Sequence, residues 1–270
     1  DLRMSRGLGD VYKRQDYYAD IVVLADGVNS LLAKQIGLRE DIEPKDVAVS
    51  VKEVFKLPKE KINDRFHVND DEGCIYEIFG GSMLGMLGLG FVYTNKESVS
   101  IGLGVTLDEF EEHKTKPYEL LDKLKQHPVI APLIKDGELL EYSAHLIPEG
   151  GFKKLPVLAG AGVMVVGDAA MLVNNLHWEG TNLAMISGKL AGETAVVALS
   201  KHNFSEHSLN RYKIELEKSF VMKDLKTYRN LMDEIHSRKE SFLKYYLNKI
   251  NAFFEMFTSV NGLSLIHISE

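Results

Sequence analysis

The sequence predicts an α/β fold built from a parallel-sheet domain, an antiparallel-sheet insert and C-terminal helices. Two apolar strands, one ending at residue 24 and the other at residue 166, each run into a glycine-containing turn and then a helix, as in a parallel α/β sheet. Between them, residues 47–105 alternate apolar and polar side chains, which is typical of antiparallel strands with one buried face. Hydrophobic residues make up 45% of the chain and charged residues 26%, which is ordinary for a globular protein.

The remaining elements follow from the period of the apolar residues. Alternation predicts a strand that ends at Pro148 and four antiparallel strands before it: 47–55, 73–79, 87–93 and 98–105. Apolar residues at helical spacing predict four helices: 107–126, a long helix from residue 181, 204–229 and 240–257. The first of these helices is expected to bury Leu120, Leu121 and Leu124.

The first apolar strand is followed by a turn of small residues. Ala25, Asp26 and Gly27 follow the strand over 20–24 and lead into a helix predicted at 31–36. Because alanine and glycine are small, the backbone here can approach a pyrophosphate or a ring closely. We therefore predict that these three residues bind a cofactor. An ordinary strand-to-helix turn is the alternative.

The second strand ends at Gly167 and Asp168, and Gly180 then opens an apolar helix with Thr181 and Asn182. This order places one carboxylate and one helix N-terminus at the same edge of a sheet. The carboxylate can accept hydrogen bonds from sugar-like hydroxyls, and the helix N-terminus offers unpaired N–H groups and a partial positive charge. Flavin adenine dinucleotide (FAD) carries both a polyol and an electron-rich ring, so we predict FAD as the cofactor.

Two asparagines occupy the turn between the carboxylate and the helix. We predict that Asn174 contacts the cofactor ring, and Asn175 is a further candidate. The alternative is that both side chains cap their own backbone, as asparagine does in turns.

The two motifs resemble the second and third FAD motifs of the fold shared by para-hydroxybenzoate hydroxylase, geranylgeranyl reductases and electron-transfer-flavoprotein:quinone oxidoreductases. From residue 19 to about residue 229 the chain is similar to the FixC-type branch of the last group. Seven segments match in order: ADIVVLADGVNSLLAKQIGL, VSVKEVFKLPKEKINDRF, FVYTNKESVSIGLGV, EYSAHLIPEGG, VVGDAAMLVNN, EGTNLAMISGKLAGETA and SFVMKDLKTYR.

The resemblance implies a partial FAD-binding Rossmann-like domain with an inserted antiparallel-sheet substrate domain and C-terminal helices. The expected boundaries are 16–46 and 148–200 for the FAD-binding domain, 47–147 for the substrate or quinone domain, and 201–262 for the helical region. It also implies that the segment before Pro148 passes near the flavin ring. No catalytic pair or nucleophile stands out, so the catalytic residues stay unknown. His145 is the candidate that we keep, against a packing role.

Both ends of the chain differ from the family pattern. The G-x-G-x-x-G loop that cradles the pyrophosphate is absent, because no apolar strand precedes Gly7 and Gly9. Residues 1–15 and 263–270 resemble non-native tails, and we interpret the chain as an internal fragment. Met171 stands where many relatives have glycine, which puts in doubt how closely that turn approaches the cofactor.

The single cysteine restricts the redox chemistry of the chain. Cys74 alone can form neither an intrachain disulfide nor the ligand set of an iron–sulfur cluster. The resemblance implies that a separate ferredoxin-like protein carries this cluster. No group of residues has the spacing of metal ligands, so we assign no metal. The net charge of −7 argues against nucleic-acid binding.

Residues 80–90 are rich in glycine, methionine and leucine. One interpretation is a loop that feeds a buried strand. The other is an apolar surface that admits a hydrophobic ligand or rests on a membrane interface. Residues 201–250 carry 11 basic and 7 acidic side chains, which suits an anionic membrane surface as well as a solvated helical face.

The function implied by the resemblance is that of an FAD-dependent oxidoreductase. Electrons would pass from an electron-transfer flavoprotein to a quinone, another apolar acceptor or a ferredoxin-like acceptor. The alternatives are a flavin-dependent geranylgeranyl (isoprenoid) reductase on the same fold, and a truncated non-catalytic fragment. The expected location is cytoplasmic, with peripheral contact at the inner membrane face as the alternative.

Overall fold

The computed structural model describes residues 17–80, 83–177, 179–239 and 241–259. The tails predicted at 1–15 and 263–270 lie outside the described residues. Within the described part the chain forms two sheets with helices packed on them, which confirms the predicted α/β class.

The smaller sheet has three strands in the order β1-β8-β7. Strand β1 (Val22–Leu24) lies parallel to β8 (Val163–Val165), which pairs in antiparallel fashion with β7 (Ala159–Gly160). Leu24 and Val165 are direct neighbours across the parallel pair. Short α1 (Leu31–Gln35) follows the β1 turn, one residue shorter than predicted.

The larger sheet has five antiparallel strands in the order β3-β4-β5-β2-β6. These strands are β2 (Val47–Lys56), β3 (Ile75–Ile78), β4 (Gly88–Thr94), β5 (Ser98–Thr106) and β6 (Glu138–Pro148). The insert begins at Val47 and ends at Pro148, and these two residues pair with each other across β2 and β6. The chain therefore enters and leaves the insert through neighbouring strands.

Two hydrophobic cores correspond to the two sheets. Behind the small sheet, Met164, Val165 and Leu183 are fully buried. In the insert, one face of the large sheet packs against α2 (Lys59–Phe66) and helices that follow β5. Leu120, Leu121 and Leu124 are at most 1% exposed in this second core, as predicted.

The single helix predicted over 107–126 is wrong. The structure has α3 (Leu107–His113) and α4 (Pro117–Lys125), because Lys114 adopts a left-handed conformation with φ 51°. Pro117 then starts the second helix at its first turn, the one helical position that tolerates the missing N–H. A one-turn α5 (Ala131–Ile134) precedes β6.

The C-terminal region is also more divided than predicted. The long helix α6 (Thr181–Ser200) is present, but 204–229 splits at Ser219, whose backbone is extended. The two resulting helices are α7 (Glu206–Lys218) and α8 (Phe220–Thr227). A helix that was not predicted, α9 (Leu231–Ser237), follows them, and the helix predicted over 240–257 is a π-helical turn (Ser241–Tyr246) and α10 (Leu247–Thr258).

Helix α6 is long and apolar enough to meet the length and composition of a bilayer span, alone among the described helices, with a mean hydropathy of 1.3. About a quarter of that window, 28%, is buried. Its buried side chains include Leu183, Ala191 and Ala198, which belong to the core behind the small sheet. The helix therefore has the contacts of a core helix on one face.

Two glycines on the same face of β5 test how tightly the insert is packed. A Cβ at Gly102 would clash with the Phe91 ring and lie 2.6 Å from the Val51 carbonyl oxygen, whereas a Cβ at Gly104 would meet nothing within 4 Å. We expect Gly102→Ala to lower the free energy of unfolding by about 1–3 kcal/mol. Gly104→Ala should change it by less than about 0.5 kcal/mol. Urea unfolding followed by circular dichroism measures both, and equal effects would contradict this packing.

Candidate functional site

The site lies at the edge of the small sheet where β1 and β8 end together. Their parallel pairing places both carboxyl ends on the same side, and the Val166 amide continues the pairing by donating to the Leu24 carbonyl at 3.0 Å. Ligands of open α/β sheets bind beyond such strand ends. After the two strands, the backbone turns at Gly27 and Gly167, whose φ angles of 77° and 58° lie in a region that favours glycine.

The turn after β8 is held from behind by α6. Gly167 begins a short 3₁₀ helix (Gly167–Ala170), and its amide donates to the Ser187 hydroxyl at 3.0 Å. Met171 ends this turn in a left-handed conformation, and its side chain is buried beside Val28 and Val47. The methionine side chain therefore points into the protein interior. It does not block the approach of a ligand to the turn, although its size had put that approach in doubt.

A closed loop brings the helix N-terminus back to the carboxylate. The backbones of Asn174 and Glu179 exchange two hydrogen bonds, at 2.9 and 3.3 Å, so the chain returns on itself before α6 begins. A Cβ placed on Gly180 would lie 3.8 Å from Oδ1 of Asp168. The structure thus brings together the carboxylate and the helix start that the sequence predicts at one sheet edge.

The first turn of α6 is open to a ligand. Gly180 occupies the N-cap position, and no side chain caps the helix. Among the first amides, that of Leu183 is taken by the Asn182 side-chain oxygen at 3.0 Å. Gly180 and Thr181 line the same space as Asp168, so the positive end of the helix dipole lies beside a carboxylate.

A cavity of about 1320 Å³ lies between this edge and the large sheet of the insert. One wall contains Ala25, Gly27, Gly167, Asp168, Gly180 and Thr181. The opposite wall is mostly apolar and includes Phe79, Gly88, Leu89, Phe91, Gly104 and Ile147. Small-molecule sites commonly measure about 300–1,000 Å³, so this cavity has room for a cofactor together with a second molecule.

The carboxylate of Asp168 is partly desolvated. Burial raises its pKa above the ordinary value, and the nearby His145 lowers it to a smaller extent. Within the described part of the chain no hydrogen bond to this carboxylate is made. His145 itself is exposed on β6, so it acts on Asp168 through space.

The nine predicted cofactor-binding residues separate into two groups. Six line the large cavity: Ala25, Gly27, Gly167, Asp168, Gly180 and Thr181. The side chains of the other three form hydrogen bonds with groups of the chain itself. Asp26 accepts a hydrogen bond from Ser30, Asn182 donates to Glu179, and the Asn174 oxygen accepts from the amides of residues 176 and 177. Cofactor contact by all nine stays a prediction.

Sequence reasoning missed two features of the site. Gly104 lines the insert wall without adding a side chain to the cavity, and alternation along β5 was the signal available. Gly88, which lines the same wall, belongs to the segment 80–90 that the sequence offered as an apolar ligand surface. Glu149 lines the cavity directly after β6, and its position in the matched segment EYSAHLIPEGG was its signal.

One group of potential metal ligands occurs outside this site among the described residues. Ligand atoms of Glu109, Glu112 and His113 lie within 4.8 Å of one another. The ammonium of Lys239 lies 2.5 Å from Glu109 and supplies the positive charge there. We therefore assign no metal to this cluster.

Comparison with known proteins now adds to the geometry. A family profile described as "ETF-QO, ubiquinone-binding" matches residues 47–147, the part of the chain that contains the five-stranded sheet. Protein FixC of Rhizobium meliloti is 48% identical over 245 residues, which is 90% of this chain and 56% of that protein. A probable electron transfer flavoprotein-quinone oxidoreductase, YdiS of Escherichia coli, is 44% identical over 79% of this chain and 50% of its own length.

The chain is similar to FixC proteins over most of its length. It spans about half the length of the curated relatives that it matches. Among solved structures, a geranylgeranyl bacteriochlorophyll reductase-like protein from Thermoplasma acidophilum aligns with a TM-score of 0.63 and 18% identity, over 82% of this chain and 52% of that one. A mutant of the halogenase PltM, solved in complex with FAD, aligns with a TM-score of 0.52 and 14% identity, over 80% and 45%. These structures show the same fold.

The residues present fit one part of FAD. A half-buried carboxylate with no hydrogen-bond partner among the described residues suits the ribityl hydroxyls, and a helix start without a side-chain cap suits the electron-rich edge of the ring. Both face a cavity of sufficient volume. The described residues include no G-x-G-x-x-G loop for the pyrophosphate.

The desolvated carboxylate predicts a gain in stability when its charge is removed. Because burial raises the pKa of Asp168, the folded state holds its proton to a higher pH than the unfolded chain does, and ionisation costs stability. We expect Asp168→Asn to stabilise the ligand-free chain at pH 7, with the gain disappearing as the pH falls below the ordinary aspartate pKa. Urea midpoints at several pH values measure this. Asp64→Asn, at an exposed helical position, is the control and should show no such pH-dependent gain.

Proposed function

We propose that the protein of which this chain forms a part is an FAD-dependent oxidoreductase that passes electrons from an electron-transfer flavoprotein to a quinone. The observation that carries the proposal is the shared cavity. Asp168 and the open start of α6 form one wall, and the apolar insert that matches a ubiquinone-binding family forms the other. The likeness to a probable electron transfer flavoprotein-quinone oxidoreductase, at 44% identity, supports the same chemistry.

FAD would supply the two-electron redox chemistry when bound. The chain's own residues bind and orient. Asp168 would accept hydrogen bonds from the ribityl hydroxyls, and amides at the start of α6 would stabilise negative charge at the nearby ring edge. Gly104 leaves space in the facing wall, where an apolar acceptor can lie close to the ring.

The partners follow from this assignment. We propose an electron-transfer flavoprotein as the electron donor and, because Cys74 is the only cysteine in the chain, a ferredoxin-like protein as the carrier of any iron–sulfur cluster. We place the protein in the cytoplasm, with a peripheral contact at the inner membrane face through which a quinone can enter. The alternative, an isoprenoid reductase, is supported by a likeness of fold at 18% identity, and such a likeness does not indicate a shared activity.

A chimera tests the assignment. Residues 17–259 would replace the matching segment of the Rhizobium meliloti FixC, with the parental FixC as the control. We expect the purified chimera to carry FAD, seen in its visible spectrum, and to pass electrons from reduced electron-transfer flavoprotein to a soluble ubiquinone analogue. A chimera that takes up FAD but leaves the quinone oxidised, where the parent reduces it, would contradict the proposal.

The carboxylate has opposite effects on stability and on cofactor affinity. A hydrogen bond to a charged group contributes about 1.5–3 kcal/mol, so Asp168→Asn should weaken FAD binding by roughly 10- to 150-fold. Titration of the apo-chimera with FAD, followed by quenching of flavin fluorescence, measures the change. Asp64→Asn should leave the affinity unchanged, and an unaffected Asp168→Asn would show that Asp168 does not hold the cofactor.

The space that Gly104 leaves in the insert wall should determine how well the quinone binds. A Cβ at Gly104 meets nothing within 4 Å and Gly104 lines the cavity, so Gly104→Leu extends a side chain into the cavity. We expect the KM for the ubiquinone analogue to rise by about tenfold or more, a loss of about 1.4 kcal/mol in binding, while FAD content stays constant. Gly104→Ala is the matched control, with a smaller effect on KM.

A further inference from the structure

A second, smaller cavity adjoins the first. It has a volume of about 270 Å³ and lies beside α8 and α9, whereas the large cavity lies between the two sheets. Four residues line both cavities and form the wall between them: Glu149, Val173, Asn175 and Met232. Of these four, only Glu149 has an ionisable side chain.

The backbone of Glu149 is fixed on both sides. Its amide donates to the Asp46 carbonyl at 2.8 Å, and its carbonyl accepts from the Asn175 side chain at 2.6 Å. The side chain keeps some accessible surface only because it faces two cavities, and protein surrounds it otherwise. A rigid backbone therefore holds a titratable group at the boundary between two compartments.

The positive charges around the small cavity are engaged with other groups. Lys154 pairs with Asp46 and Glu43 at 2.8 and 2.6 Å, and Lys45 pairs with Glu43. Lys153 pairs with Asp233, and Arg229 donates to a backbone carbonyl. The other titratable side chains that line the small cavity are Tyr228 and His236.

On the side of the large cavity, the titratable groups are Glu77, Asp168 and His177. None of these groups, and none of the four cations, offsets the desolvation of Glu149. Burial alone raises the pKa of Glu149 to about 8. At pH 7 the group is therefore mostly protonated, and it titrates within the physiological range.

The small cavity has the features of a hydrated compartment. Its volume holds several water molecules at about 30 Å³ each. Charged side chains line it, among them Lys153, Arg229 and Asp233, and they offer hydrogen bonds to such water. The rim reaches solvent at the pair of Lys153 and Asp233, whose side chains are 47% and 69% exposed.

We propose that Glu149 carries protons from the hydrated small cavity to an acceptor of the quinone class in the large cavity. The proposal rests on the proposed function, because a quinone needs protons as well as electrons. Reduction of one quinone takes up two electrons and two protons, and each C=O becomes C–OH. The acid form of Glu149 gives a proton to a quinone oxygen and becomes a carboxylate, which regains a proton from solvent through the small cavity.

The first test uses the ligand-free chain and its infrared spectrum. We expect a carbonyl band of a protonated carboxylic acid that persists at pH 7 and disappears between about pH 7 and pH 9. Glu149→Gln should remove this band. Glu141→Gln, at an exposed position on the strand that precedes Glu149, is the matched control and should retain it. If the band is absent at pH 7, or if it survives in Glu149→Gln, the proposal is overturned whatever the chain binds.

The second test compares two acceptors with the FAD-loaded chimera, reduced in advance with dithionite. Ferricyanide takes electrons without protons, whereas the ubiquinone analogue takes both. We expect Glu149→Gln to slow reoxidation by the quinone at neutral pH by at least ~10²-fold, the usual range for loss of a general acid. Reoxidation by ferricyanide and FAD content should not change. Glu149→Asp should recover part of the rate.

The outcomes separate this proposal from the proposed function. Equal slowing with both acceptors would make Glu149 a structural residue, and no slowing with the quinone would show another source of protons. Either result overturns the proton-carrying role. If the unsubstituted chimera is reoxidised by ferricyanide but not by the quinone, the proposed function fails, and with it the delivery of protons to a quinone. The infrared titration of Glu149 is then still measured on its own.

Discussion

Parallel hydrogen bonding between β1 and β8 is the interaction on which the rest of the site depends. Only three residue pairs form it, yet it makes two chain segments about 140 residues apart end at one edge. The pairing is supported from behind, because the buried Tyr212 hydroxyl of α7 donates to the Val165 carbonyl at 2.9 Å. Loss of this register would move Asp168 away from the β1 turn, and no local contact in the turn would compensate.

The insert is held over this edge by the way it is connected. Its first and last residues, Val47 and Pro148, pair with each other, and the next step outward is the hydrogen bond between Asp46 and Glu149. Lys154 adds ion pairs to the same junction. The chain enters and leaves the insert through one pair of neighbouring strands. The insert therefore forms a single wall, and its glycines face the edge where β1 and β8 end. A cavity of this size can then persist between two separately packed cores.

The sequence predicts those parts of the molecule that depend on local pattern. Alternation located four strands of the insert to within one or two residues and the end of the fifth at Pro148. Asp168 and Gly180 were predicted to converge because a strand that ends in Gly-Asp is followed by a helix that starts at the same sheet edge. The helix at 107–126 was predicted as one because periodicity continues through the break, although Pro117 signalled it. Asn174 shows a different limit of prediction from sequence. Its side-chain oxygen accepts a hydrogen bond from a backbone amide of its own turn, and the conformation of that turn determines this partner. Glu149 lies between the two cavities because Val173 and Met232, which are distant in sequence, complete the wall beside it. No local sequence pattern predicts that position.

Apolar walls admit a hydrophobic acceptor, and the same walls raise the pKa of each carboxyl group that they enclose. Asp168 and Glu149 both experience this effect, but their surroundings differ. Asp168 has His145 nearby, which favours its charged form, and hydroxyl groups of a bound cofactor would favour it further. Glu149 has no such partner, and a ligand that is apolar gives it none. The first group is therefore suited to hold a cofactor as an anion, and the second to exchange a proton. Under the proposed function the cavity requires both, because electrons that reach a quinone without protons would leave a charge away from water.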